Sequence, residues 1–243
     1  MEQGVRNFPT SYILHPTPLK QGEKMEQYKR EFIEFLQGAG VLKFGDFTAK
    51  SGRKIPYFIN AGEIKTGEHI AKLGEFYAKA YLDKVGNKKT ALFGPAYKGI
   101  SIAVSSSIAL SKSGLDVPFF FNRKEAKDHG EGGLFVGKQL VDGEKVIIIE
   151  DVMTSGKALR EILPKLEAAA KVQVVGMIIS VDRQEKALNS DLSAVSEAKK
   201  EFDIDVYSVV TMNDIIAAIE DGVVDGKEHL PAMYKYRETY GAK

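Results

Sequence analysis

Two carboxylates stand side by side behind four β-branched residues: Val146, Ile147, Ile148 and Ile149 run into Glu150 and Asp151, and then Val152, Met153, Thr154, Ser155, Gly156, Lys157 and Ala158. Such a run makes a strand, so the acids fall at its carboxyl end, where open α/β sheets bind ligands. Small residues opening a helix offer free N–H groups and a positive dipole end to an anion. Acids beside an anion site are compatible with it if they accept hydrogen bonds from neutral sugar hydroxyls while Thr154, Ser155 and Gly156 cradle a phosphate. A surface acid pair followed by an N-capping Thr154 or Ser155 accounts for the same residues, and both readings stand on this segment alone.

Residues 123–133 read RKEAKDHGEGG, seven ionisable side chains and three glycines directly after the apolar run VPFFF. Composition makes this a solvated surface loop. Cations also gather in GPAYKG, which carries Tyr97 and Lys98 among glycines, and in DRQE, where Arg183 follows an apolar run. The segment GGLFVGKQ nearly matches a phosphate-binding loop, but Gln139 replaces the hydroxyl residue that would hold magnesium and no helix follows. No G-x-G-x-x-G follows a strand, so a dinucleotide-binding reading has no support.

The elements that must position these residues fit one domain of 243 residues, 44% hydrophobic. Lys and Arg number 34 against 33 Asp and Glu, and this balance gives no global field to draw nucleic acid or a membrane surface. The absence of cysteine rules out disulfides and thiolate metal sites and fits a reducing cytoplasm. No apolar run is long enough to span a bilayer, and the N-terminus lacks a signal-peptide layout. The expectation is a soluble cytoplasmic protein.

Residues 1–24 hold three of the eight prolines without periodicity and read as an extension. Tyr28, Phe32, Phe35 and Leu36 mark a helix ending at Gly38 and Gly40, and residues 41–62 alternate as short antiparallel strands. A helix near 67–84 follows. Apolar runs TALFG, VPFFF, KVIII, VQVVGMIISVD and VYSVVT then alternate with helical stretches at about 98–113, 156–170, 190–201 and 213–220. Strands apolar on both faces with helices between them predict a mostly parallel sheet covered on both sides. Pro164 is expected to kink or break its helix.

The order of four apolar residues, two acids, two apolar residues, Thr, a small residue and Gly resembles the phosphoribosyl pyrophosphate (PRPP) motif of type I phosphoribosyltransferases. Glu150 stands where that motif usually opens with aspartate, and Lys157 where a hydroxyl residue is usual. FTAKSGRKIPYFINAG, FGPAYKGI, FNRKEAKDHGEGG and SVDRQE follow the order and approximate spacing of the orotate phosphoribosyltransferases, from about residue 25 to 221. The resemblance implies an α/β type I phosphoribosyltransferase fold. It has a small N-terminal hood (about 25–66), a core (about 67–221) with a flexible catalytic loop, and a C-terminal helical segment (222–243). It implies transfer of the phosphoribosyl group of PRPP to orotate; a transferase for another base and a PRPP-sensing regulatory homologue are the alternatives.

By the same resemblance PRPP contacts Lys50, Tyr97, Lys98, Arg123, Lys124, Lys127, His129, Glu150, Asp151, Val152, Met153, Thr154, Ser155, Gly156, Lys157 and Ala158. Orotate contacts Phe58, Ile59, Thr154 and Arg183, with Ile59 where many relatives carry a second Phe. Lys127, His129, Arg123, Lys124 and Asp151 form the catalytic set. Magnesium is implied as cofactor, held mainly by pyrophosphate and ribose oxygens and water, so no protein metal ligand is assigned. The family also implies a homodimer whose loop serves the neighbouring subunit's site. The chain ends soon after its last α/β unit, which leaves the expectation of a single activity without a fused decarboxylase.

Overall fold

A computed structural model describes residues 25–49, 52–127, 133–153, 156–187 and 190–242. Helix α1 (Gln27–Gly38) forms because Phe32, Ile33 and Leu36 share a buried stripe, and it stops where Gly40 takes φ +69°. Strands β1 (Leu42–Thr48) and β2 (Lys54–Ile59) pair antiparallel as a separate two-stranded ribbon. Helix α2 (Gly67–Lys84) opens with the Thr66 hydroxyl accepting from the His69 N–H at 3.2 Å.

The remaining strands build one six-stranded sheet in the order β5-β4-β3-β6-β7-β8: β3 (Ala91–Gly94), β4 (Phe119–Lys127), β5 (Gly133–Gly137), β6 (Lys145–Ile149), β7 (Gln173–Asp182) and β8 (Val206–Thr211). All neighbours are parallel except β5, which returns antiparallel along β4. The intervening helices are α3 (Lys98–Lys112), α4 (Lys157–Ala169), α5 (Ala194–Phe202), α6 (Met212–Glu220) and α7 (Leu230–Tyr240).

Alternation along the strands divides the core into two layers. Leu92, Ile147, Ile149 and Ile178 pack with residues of α1, α2, α3 and α6, whereas Phe93, Val146, Ile148, Met177 and Ile179 face Leu159, Ile162 and Leu166 of α4 and Ala198 of α5. The sheet is therefore buried on both faces, as the unbroken apolar runs require.

Three expectations change. Residues 123–127 are not loop: β4 carries them as strand, paired through Lys127 with Gly133, so β4 and β5 are the antiparallel arms of a hairpin, and residues 128–132 between them lie outside the described residues. Edge pairing needs no apolar side chains, because the ladder is made by the backbone. GLFVG of the segment GGLFVGKQ is thus the edge strand β5 (Gly133–Gly137), as its failure to open a helix suggests. Helix α4 runs unbroken through Pro164, whose exposed ring lies on the solvent side of the helix and meets no packed neighbour layer. Helix α5 begins at Ala194 rather than 190, because the Ser193 hydroxyl caps it by accepting from the Ser196 N–H at 3.1 Å.

Candidate active site

The chain leaves β3 toward β4 on one side, while β6 lies on the other side of β3 and leads away through β7 to β8. Loops leaving the carboxyl ends of β3 and β6 thus diverge and leave a crevice, the usual ligand position in an open α/β sheet. GPAYKG follows β3, Arg123 and Lys124 lie along β4, Glu150 and Asp151 follow β6, and Arg183 follows β7.

One contact spans the crevice. Lys98 Nζ meets Asp151 Oδ2 at 2.7 Å, joining the start of α3 to the end of β6. Asp151 is buried, its other oxygen accepts from the Val152 N–H at 2.8 Å, and its carbonyl accepts from the Ser180 hydroxyl at 2.6 Å. The approach of α3 depends on two glycines: a Cβ on Gly94 would lie 2.3 Å from the Gly99 carbonyl oxygen, and one on Gly99 would lie 2.7 Å from that of Ile149.

Glu150 is half-buried; its carboxylate accepts from the Asp151 N–H at 2.9 Å, and its carbonyl accepts from the Tyr77 hydroxyl at 2.7 Å. Burial pushes the Glu150 carboxyl up to about 8, and the Asp151 charge adds to the rise against the opposing Asp151 N–H and Lys98. Burial likewise raises the Tyr77 phenol, which keeps its proton and remains a donor. Folding therefore retains a proton on Glu150 that the unfolded chain has released, so this group costs stability as pH rises from the ordinary carboxylate range through about 8. Glu150→Gln removes that slope. In denaturant titrations the variant should match the parent near about pH 5 and exceed it near about pH 9; a difference independent of pH would refute the burial effect.

Beyond the acid pair, Gly156 takes φ +65° and, having no side chain, supplies no cap to the first N–H groups of α4, which begins at Lys157. These groups lie at the same edge as the acid pair. The Lys157 ammonium lies 3.6 Å from Glu161 on the exposed side of α4, and Ala158 is exposed beside it. Val152 and Met153 are half-buried, with Met153 packed on the α4 core layer.

On the β3 side Tyr97 is 71% exposed, which argues against a merely buried aromatic. Asn122 on β4 joins this turn to the charged hairpin: its Oδ1 accepts from the Ala96 N–H at 3.0 Å and its Nδ2 donates to the Arg123 carbonyl at 3.0 Å. Arg123 reaches across the hairpin to the Gly133 carbonyl at 3.0 Å, and Lys124 is exposed.

Arg183 sits 3.7 Å from Glu185, whose other oxygen accepts from the buried Tyr57 hydroxyl of β2. The bond links Arg183's segment to the strand that carries Phe58 and Ile59, and Phe58 is 45% exposed and stacks on Phe47 at 5.4 Å. Lys50, His129, Thr154 and Ser155 lie outside the described residues, as do residues 1–24. Sequence reasoning missed Tyr57, Tyr77, Asn122 and Ser180. Tyr57 falls on the buried phase of β2 and Tyr77 on the apolar face of α2, so each looked like core, and their hydroxyl partners are distant in sequence.

Residues 60–214 match the family model described as a phosphoribosyl transferase domain, so fold and site together define a phosphoribosyltransferase. The chain is 48% identical over 218 residues to an orotate phosphoribosyltransferase of Escherichia coli, covering 89% of this chain and all of that one. It is 47% identical over 225 residues to the orotate phosphoribosyltransferase of Bifidobacterium adolescentis, covering 87% of this chain and 96% of the relative. The crystal structure of orotate phosphoribosyltransferase from Francisella tularensis superposes with a TM-score of 0.77 at 40% identity, covering 87% of this chain and 99% of that one. The chain belongs to the orotate phosphoribosyltransferase family.

Proposed function

We propose that the protein joins orotate to PRPP, breaking the bond from the anomeric carbon to pyrophosphate and forming one to a ring nitrogen of orotate. The products are orotidine 5′-monophosphate and pyrophosphate, a step of pyrimidine biosynthesis. The observation that carries this reading is the Lys98–Asp151 contact at the β3/β6 crevice, with the cationic hairpin on one flank and Arg183 on the other.

The residues take roles suited to their chemistry. The first turn of α4 with Thr154, Ser155 and Gly156 binds the 5′-phosphate, and Glu150 and Asp151 meet the ribose hydroxyls. A protonated Glu150 can donate as well as accept there. Tyr97, Lys98 and Lys50 hold pyrophosphate. Phe58 and Ile59 floor the orotate ring, and Arg183 pairs its planar fork with the orotate carboxylate, joined by Thr154. As the pyrophosphate leaves, charge grows on its oxygens, and Arg123, Lys124, Lys127 and His129 from the hairpin meet it most strongly in that state. Orotate is already anionic, so its ring nitrogen needs positioning more than a strong base.

Magnesium fits this donor set as a companion of the substrate. Asp151 is already engaged by Lys98 and the Val152 N–H, so the ion would be held mainly by pyrophosphate and ribose oxygens and water, with Glu150 and Asp151 reaching it through water. When bound it neutralises pyrophosphate charge. We further propose a cytoplasmic homodimer in which each hairpin opens and closes over the neighbouring subunit's site. Among the described residues no helix is long and apolar enough to cross a membrane.

The test is base selectivity. With PRPP and magnesium, orotate should be consumed with one pyrophosphate released per orotate, and adenine, hypoxanthine and uracil should turn over at least about 10²-fold more slowly, since each would leave Arg183 unpaired. Comparable turnover of a purine would assign the site to another base.

A further inference from the structure

We infer that Tyr57 and Glu185 are positioning residues that keep the Arg183 guanidinium open for a carboxylate-bearing base: Tyr57 holds Glu185 near enough to balance Arg183's charge but too far to occupy its fork. The inference rests on Arg183 as the reader of the orotate carboxylate.

The geometry is specific. Glu185 Oε1 accepts from the Tyr57 hydroxyl, while Oε2 stays 3.7 Å from Arg183 Nη2. That separation exceeds the roughly 2.7–3.2 Å of an N–H···O hydrogen bond, so the guanidinium is neutralised without being clamped. Glu185 and Tyr57 are both largely shielded from water, whereas Arg183 keeps 29% of its side chain exposed toward the edge where ligands collect. Burial, together with the Glu185 charge, raises the Tyr57 phenol, so it stays a donor to the carboxylate.

The surrounding chain fixes this arrangement from two directions. From the C-terminus, Lys186 N–H donates to the Tyr240 carbonyl at 2.8 Å and Ala242 N–H to the Gln184 carbonyl at 2.9 Å. Gln184, in the left-handed conformation at φ 54°, accepts through its side chain from Arg237 at 3.2 Å and from the Asn213 N–H at 3.1 Å. From the ribbon side, Arg53 donates to the Lys186 carbonyl at 3.1 Å and lies over the Tyr240 ring at 4.8 Å, and Tyr236 meets Tyr57 edge-on at 6.0 Å. With the backbone of residues 184–186 fixed, the remaining freedom is rotation of the Glu185 side chain, and the Tyr57 hydroxyl removes it. Without that hydroxyl, the freed carboxylate can close on Arg183 as a competitor for the substrate's own carboxylate.

Steady-state kinetics on four proteins test this: Tyr57→Phe, Glu185→Gln, the double variant and Arg183→Ala. Tyr57→Phe should raise the KM for orotate about tenfold, the scale of one charge-assisted hydrogen bond, with the PRPP KM and kcat near the parent values. The unchanged PRPP KM shows that the fold and the phosphate site are intact. In the double variant the neutral amide no longer competes, so the orotate KM should return to that of Glu185→Gln alone, a non-additive cycle. An unchanged orotate KM in Tyr57→Phe, or a rise that persists in the double variant, would overturn the inference. If Arg183→Ala raises the orotate KM while Tyr57→Phe does not, the inference alone fails. If Arg183→Ala also leaves it unchanged, the role of Arg183 falls with it.

Discussion

Replacing Lys127 with alanine lowers kcat by about 10²- to 10³-fold, the cost of one preorganised donor to a developing anion, and leaves the PRPP KM within severalfold of the parent. The asymmetry follows from where the charge appears. In the proposed site, ground-state PRPP would have Tyr97, Lys98 and Lys50 at its pyrophosphate, so losing one hairpin cation should remove little binding. The departing pyrophosphate gains negative charge as the bond stretches, and that is when the hairpin ammonium contributes most. The described backbone supports such a role, since Lys127 ends β4 opposite Gly133 and is carried by a strand anchored beside β3 rather than by an untethered loop. Single-turnover rates separate chemistry from product release, and wild-type turnover would refute a transition-state role. If hairpins are exchanged between subunits, mixing Lys127→Ala with Asp151→Ala restores about a quarter of the wild-type activity, because half of randomly paired dimers hold one intact site.

The second large effect comes from a residue that touches no substrate. Gly99→Ala places a methyl 2.7 Å from the Ile149 carbonyl oxygen and 2.7 Å from Pro95 Cδ, distances that real Cβ atoms do not sustain. Neither neighbour can yield easily: Ile149 belongs to the central strand β6, and Pro95 is a rigid ring in the turn after β3. The first turn of α3 must move outward instead and carry Lys98 away from Asp151. Overpacking of this kind costs about 1–3 kcal/mol of stability, and a shift of about 1 Å at the reacting groups lowers kcat about 10²-fold. Denaturant midpoints and kcat measured together check this. A variant as stable and as active as the parent would show that the close approach of α3 to β6 does not set the site.

Much of the architecture was legible because burial on both faces leaves an unmistakable pattern. Runs such as VIII at 146–149 and VVGMIISV at 174–181 have no alternating polar phase, and only a strand between two helical layers uses such a run well. The edge was harder. Residues 123–127 carry charges that composition assigns to a loop, yet they continue β4 as strand, its ladder with β5 held at Asn122 and Lys127 on either side of an irregularity, and side-chain chemistry does not report on a ladder made by N–H and C=O groups. Boundaries moved for similarly local reasons, as at Ser193, whose hydroxyl decides where α5 begins.

The site divides along the same line. Glu150, Asp151, Lys98 and Arg183 were visible because their types and neighbours announce ligand chemistry at strand ends. Tyr57, Tyr77, Asn122 and Ser180 were not, because each acts through a partner at least 26 positions away and shows in the sequence only as an apolar or neutral residue in a periodic pattern. The fold, not local spacing, puts a phenol beside Glu185 or an amide beside Ala96.

The most direct test is a crystal structure with orotate and a non-reacting PRPP analogue, from which the positions of three groups are measured. The 5′-phosphate should lie on the first turn of α4, the pyrophosphate at Tyr97 and Lys98, and the orotate carboxylate in hydrogen-bond contact with Arg183. Orotate bound away from Arg183, or the analogue's phosphates away from the β3/β6 crevice, would contradict this arrangement.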